Sequence, residues 1–91
     1  MRITDKILNN LIDELNEEIN GSAVTWTKEE GSIKGMYTLD CSYGGYALQR
    51  YANSGGGVSD ISSIYGRYTK KELYERIKAF LGGYRLAKKM I

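Results

Sequence analysis

The stretch from Tyr43 to Tyr68, YGGYALQRYANSGGGVSDISSIYGRY, concentrates the groups that could do chemistry in this chain. Gly55-Gly56-Gly57 presents backbone amides that an anion can approach closely, because glycine has no side chain to hold it off. Asn53, Ser54, Ser59 and Asp60 surround those glycines with hydrogen-bonding groups, a mixture suited to recognising a polar small molecule. Arg50 and Arg67 interleave with Tyr46, Tyr51, Tyr65 and Tyr68. Guanidinium groups grip phosphates, and tyrosine rings stack on bases or line surfaces that are both apolar and wet. Neither signal is a nucleotide-binding motif. No lysine and hydroxyl follow the glycines at P-loop spacing, and no G-x-G-x-x-G opens a helix after a strand. Three glycines are also what a tight connection needs, and clustered tyrosines can simply pack at a sheet edge.

The missing residues exclude more than the present ones establish. The chain has no histidine and a single cysteine, Cys41. Histidine general bases, Ser-His-Asp and Cys-His nucleophiles, Cys/His metal sites and intramolecular disulfides are therefore absent. Carboxylates, lysines and tyrosines alone would have to carry any catalysis, so the expectation is a protein that is not an enzyme and holds no metal or cofactor. No apolar run approaches the ~20 residues that span a bilayer. The N-terminus MRITDKILNN carries charges where a signal peptide needs its apolar stretch. These features point to a cytoplasmic protein without a membrane partner.

Charge is unevenly spread. Residues 1–45 hold four basic and eight acidic side chains, and residues 46–91 hold nine basic and three acidic. Such asymmetry marks either an anion-binding surface or two halves that neutralise each other in the folded domain.

The elements that must position these groups are legible in the hydrophobic pattern. Ile3, Ile7, Leu8, Leu11, Ile12, Leu15 and Ile19 recur at spacings of three and four, which predicts an amphipathic helix capped by Thr4 or Asp5 and stopped at Asn20-Gly21. Asp13, Glu14, Glu17 and Glu18 crowd its last turns, where the helix dipole disfavours negative charge. Something basic is expected beside them, either the chain's own last helix or a partner protein. Alternation predicts strands over Ala23 to Lys28, about Lys34 to Cys41, and Tyr46 to Ala52, with a turn at Glu29-Glu30-Gly31-Ser32 and a short fourth strand from Val58 to Ile61 as an alternative to a plain crossing. Cys41 shares a face with Tyr37 and Leu39 and reads as a small buried hydrophobe. Thr69-Lys70-Lys71-Glu72 is a capping box. The last helix then carries Leu73, Ile77, Phe80, Tyr84, Ala87 and Ile91 on one face and is read as continuing through Gly82-Gly83, the alternative being an end at Leu81 and a short tail. Small residues there would admit a second backbone, from the first helix or a second subunit.

The predicted order α-β-β-β-α gives one domain over residues 1–91. It is an α+β fold with a three- or four-stranded antiparallel sheet and two amphipathic helices on one face. The other face, bearing some of Met36, Thr38, Tyr46, Arg50 and Tyr51, is left for solvent, ligand or partner. In element order alone this resembles the double-stranded-RNA-binding domain, whose last helix offers lysines to phosphates. The chain lacks the proline- and histidine-bearing loop of that family, and Glu72 and Glu75 dilute its basic helix. A closer resemblance lies in YTLDCSYGGYALQRYANSGGGVSDIS followed by YTKKELYERIKAFLGGYRLAKK. From about Met36 to Lys89, and most specifically in GGYALQR-x-x-N-x-GGGVSDIS, the chain is similar to a group of small uncharacterised bacteriophage and prophage proteins. That resemblance implies a setting in a bacterial host cell and no mechanism.

The functional expectation is a phage or prophage accessory protein that binds a host protein or a small polar or anionic ligand. Arg50, Tyr51, Asn53, Gly55, Gly56, Gly57, Ser59, Asp60 and Arg67 would make the contacts. The alternatives are a nucleic-acid binder using Lys70, Lys71, Arg76, Lys78, Arg85 and Lys89, and a small homodimeric structural protein.

Overall fold

The computed structural model describes residues 2–42, 44–61 and 67–90. Tyr43, Tyr65 and Ile91 lie outside the described residues, as does the side chain of Asp60. The fold is α+β: helix α1 (Asp5–Asn20), strands β1 (Trp26–Thr27), β2 (Gly31–Ser32), β3 (Tyr37–Ser42), β4 (Gly45–Tyr51) and β5 (Val58–Asp60), then helix α2 (Lys70–Lys89).

Both helices start and stop where local chemistry dictates. The Thr4 hydroxyl accepts from the Ile7 amide at 3.2 Å, and Gly21 closes α1 in the left-handed region at φ 77°, donating to the Glu17 carbonyl. Thr69 and Glu72 exchange bonds at 3.1 and 3.2 Å, satisfying two otherwise orphaned amides of α2. The backbone amide of Thr69, with its side chain, holds the Glu72 carboxyl below the usual carboxylate range. Helix α2 runs through Gly82-Gly83 without interruption.

Leu8, Leu11, Ile12 and Leu15 of α1 meet Leu73, Ile77 and Leu81 of α2 over Tyr37 and Leu48 of the sheet, forming one core. The buried line of α2 is thus Leu73, Ile77 and Leu81. The expected stripe is rotated off centre: Phe80 and Ala87 are exposed and Tyr84 is half-buried. The helices lie side by side and point the same way, as their ion pairs show. Lys70 pairs with Asp5 at the N-terminal ends, and Arg85 reaches Glu14 at 2.8 Å and Glu18 at 3.3 Å at the other. The acidic end of α1 is therefore answered by the protein's own last helix.

The main sheet has the order β3-β4-β5, antiparallel throughout, with Leu39 opposite Leu48 and Arg50 opposite Ser59. Its third strand is Val58–Asp60. The expected strand at Ala23 to Lys28 contributes only Trp26–Thr27 to a separate two-stranded ribbon with Gly31–Ser32, part of the expected turn. Trp26 is 59% exposed and Val24 53%, so this segment is not the half-buried strand its alternation suggests. The reason lies at the free edge of β3. There the Asn16 side chain, fully buried on α1, donates to the Tyr37 carbonyl at 2.9 Å and accepts from the Tyr37 amide at 2.7 Å. A side-chain amide occupies the position a neighbouring strand would need.

Two further expectations are corrected. Cys41 is exposed, near the end of β3 and opposite Tyr46, away from the buried core residues Tyr37 and Leu48. Tyr46 and Arg50 alternate with Leu48 of the core and so lie on the helix-covered side of the sheet, whereas the reading from sequence left them for the free face. The Tyr46 hydroxyl donates to Asp5, and Lys70 sits 5.5 Å from its ring centre. Met36, expected on the free face, is buried.

Candidate anion-binding cleft

Strand pairing brings part of the predicted site together. Arg50 on β4 stands opposite Ser59 on β5, and Tyr51 follows at the end of β4. With Lys34, Ala52 and Ile61 these residues line a cleft of about 370 Å³. That volume lies within the ~300–1,000 Å³ range of small-molecule sites.

Arg50 is held in place at the wall of this cleft. Its Nε donates to the Gly35 carbonyl at 3.2 Å, and its guanidinium carbon lies 5.9 Å from the centre of the Tyr37 ring. Tyr37 is itself fixed by the core and by an edge contact with Phe80, ring centres 6.0 Å apart at 66°. Among the described residues no carboxylate pairs with Arg50 or Lys34. A guanidinium pinned by one nitrogen over an aromatic face keeps its remaining N–H groups available and loses little freedom when an anion arrives. Lys34 adds a second positive charge, and the Ser59 and Tyr51 hydroxyls are adaptable donors.

The glycine loop stands apart from this lining, and its amides are partly used. The Asn53 Oδ1 accepts from Gly55 at 2.9 Å and from Gly57 at 3.1 Å, and the Gly57 carbonyl accepts from Ala52 at 2.8 Å. Gly56 takes φ 90°, which favours glycine. The Ser54 carbonyl accepts from Ser32, tying the loop to the ribbon. At Gly31 a Cβ would sit 2.6 Å from that same carbonyl oxygen, so the ribbon and loop pack as closely as glycine allows. Asn53 and Gly55 to Gly57 therefore build the turn between β4 and β5 and hold its register. Asp60 stands opposite Gln49.

Arg67 lies at the other end of the sheet. It pairs with the Asp40 carboxylate and donates to the Gly45 carbonyl at 3.3 Å, which locks the approach to α2 onto the β3–β4 hairpin. Sequence reasoning missed Lys34, which stands alone between Ile33 and Gly35 and reaches the cleft only through the folding of the ribbon.

Helical spacing puts Lys71, Lys78, Arg85 and Lys89 on one stripe of α2, with Lys70 and Arg76 off it. Lys70 and Arg85 turn to the acids of α1, and the Arg76 guanidinium lies 4.3 Å from the centre of the Tyr68 ring. Lys78 borders a hollow with Glu14 and Tyr74. Lys71 and Lys89 have no carboxylate partner among the described residues. Helical spacing puts Glu75 and Gly82 close to the same stripe between them. Binding to Lys70 holds the Asp5 carboxyl below its ordinary range, with Tyr46 adding to the effect, and Asp5 in turn holds Lys70 up.

No helix among the described residues is long and apolar enough to cross a membrane. A scan against protein-family models, a search of curated proteins and a search of solved structures each found no match to this chain.

Proposed function

We propose that this is a non-enzymatic binding protein that recognises an anionic group, carried by a small polar ligand or displayed by a host partner, in the cleft of Lys34, Arg50, Tyr51 and Ser59. The observation that carries this reading is Arg50, fixed by the Gly35 carbonyl and the Tyr37 ring yet paired with no carboxylate among the described residues. Arg67 and Arg85, by contrast, are neutralised by the acids beside them. The setting attached to this reading is that of a phage or prophage accessory protein in a bacterial cytoplasm. It rests on the GGYALQR-x-x-N-x-GGGVSDIS resemblance, and Arg50 and Ser59 of the cleft both belong to that motif.

Charge-assisted hydrogen bonds contribute about 1.5–3 kcal/mol each, so Arg50→Gln should weaken binding of an anion about ten- to hundredfold. Native mass spectrometry of protein purified from cells, at low and moderate salt, tests the reading. The expected result is a ligand adduct on the parent protein that Lys34→Ala/Arg50→Gln abolishes. An adduct that survives the double substitution would place recognition elsewhere and refute the proposal.

A further inference from the structure

A second hollow adjoins the cleft. It measures about 220 Å³ and is lined by Leu48, Ile61, Leu73, Ile77 and Phe80, with Ala79 and Arg76 toward its far rim. Ile61 borders both spaces. The register explains their continuity. Arg50 faces Ser59, and the Ile61 amide donates to the Leu48 carbonyl at 2.9 Å, so Leu48, Arg50, Ser59 and Ile61 form one patch on the helix side of the sheet. Among the described residues, helix α2 covers β4 but leaves this margin open. The floor is core, with Leu48, Leu73 and Ile77 all buried, while Ile61 and Phe80 on the walls remain 39% and 41% exposed. An apolar hollow and a cationic cleft therefore adjoin at Ile61, and together they make a groove apolar at one end and cationic at the other.

We infer that the ligand of this groove is a free amphiphilic anion, a short linear carboxylate whose head binds Arg50 and Lys34 and whose chain lies along Ile61 and Phe80 toward Leu73. This rests on the anion-binding reading and specifies its ligand. Charge sets the orientation: the opposite rim at Arg76 is shared with Glu72 and Glu75, whose carboxylates repel an anion. Size sets the length. At about 30 Å³ per water the apolar hollow holds roughly seven water-sized groups, which corresponds to a chain of about six to eight carbons. Longer acyl chains of membrane lipids exceed it.

The test is a titration of the full-length ¹⁵N-labelled protein with acetate, butanoate, hexanoate and octanoate, all below micellar concentrations. Octylammonium and phosphatidylglycerol vesicles serve as counter-probes. Affinity should rise about two- to fourfold per added methylene and level off near eight carbons. The amides of Leu48, Ile61 and Phe80 should shift with octanoate and not with acetate. Ile61→Ser should reduce octanoate toward the affinity of acetate, and Phe80→Ala provides an independent check if that variant folds poorly. Acetate and octanoate binding equally well would overturn the amphiphile inference and leave the anion cleft standing. Octylammonium binding as tightly as octanoate, or preferential capture by the vesicles, would also overturn it. No response at Arg50, Tyr51 or Ser59 to any carboxylate would remove the anion-binding reading itself.

Discussion

Replacing Gly82 and Gly83 of α2 by alanine should stabilise the protein. Both sit inside a continuous helix, neither has a positive φ, and a Cβ built on either meets nothing within 4 Å among the described residues. The close approach to α1 that two small residues would permit is not made. What remains is the intrinsic cost of glycine in an exposed helix interior, about 0.8–1.0 kcal/mol each relative to alanine. Much of that cost arises because glycine gives the unfolded chain more freedom to lose. The double variant should gain about 1–2 kcal/mol, and in a domain of this size each kcal/mol raises Tm by about 4–8 °C. Thermal melts followed by circular dichroism, with urea titrations at constant slope, measure it directly. A double variant no more stable than the parent would refute the reasoning. It would show that another backbone, such as a second copy of the chain, uses the space the glycines leave, and a concentration-dependent Tm in the parent alone would identify that copy.

Three other perturbations follow from the same structure. Asn16→Leu removes both side-chain bonds to Tyr37 and strands a buried amide and carbonyl, so a loss of about 2–4 kcal/mol is expected in urea denaturation. Gly45→Ala forces a side chain onto φ 123° with its Cβ 2.7 Å from the Tyr68 carbonyl oxygen, and should cost about 1–3 kcal/mol by thermal melting. Asp5 titrates below its ordinary range in the folded protein because Lys70 and Tyr46 bond to it. Its contribution is therefore fully present above the unfolded value near ~3.9 and is lost as pH falls through the folded one. Asp5→Asn should lower stability at neutral pH and flatten the acid limb of the profile, with parent and variant converging as pH falls through the folded value.

Short-range chemistry was legible in the sequence. The Thr69–Glu72 box, the Thr4 cap, the Gly21 stop and the apolar face of α1 each depend on residues within one or two helical turns, and each stands where the pattern puts it. The charge surplus at the end of α1 also pointed to the last helix or a partner, because an unfavourable dipole interaction needs an answer somewhere, and Arg85 of the last helix supplies it. Long-range placement was not legible. Asn16 looks like an ordinary polar residue beside Leu15, and nothing local says that its amide will meet Tyr37, 21 residues on. That one contact takes the edge of β3 and leaves the Trp26 segment in its own ribbon. Strand parity likewise puts Tyr46, Leu48 and Arg50 on one face without saying which face the helices cover. Arg50, Tyr51 and Ser59 were picked for their chemistry, and they come together with Lys34 through pairing and ribbon geometry. Asn53 and its glycines instead spend their hydrogen bonds on the turn, and Arg67 is held by Asp40 at the far end of the sheet.

The most direct test of the binding account is an NMR titration of the parent protein and Arg50→Gln with inorganic phosphate, using chloride at matched ionic strength as the control. The account predicts saturable shifts centred on the amides of Lys34, Arg50, Tyr51 and Ser59, weakened about tenfold or more in the variant. Shifts confined to Lys71, Lys78 and Lys89 of α2, or a response the substitution leaves unchanged, would contradict it.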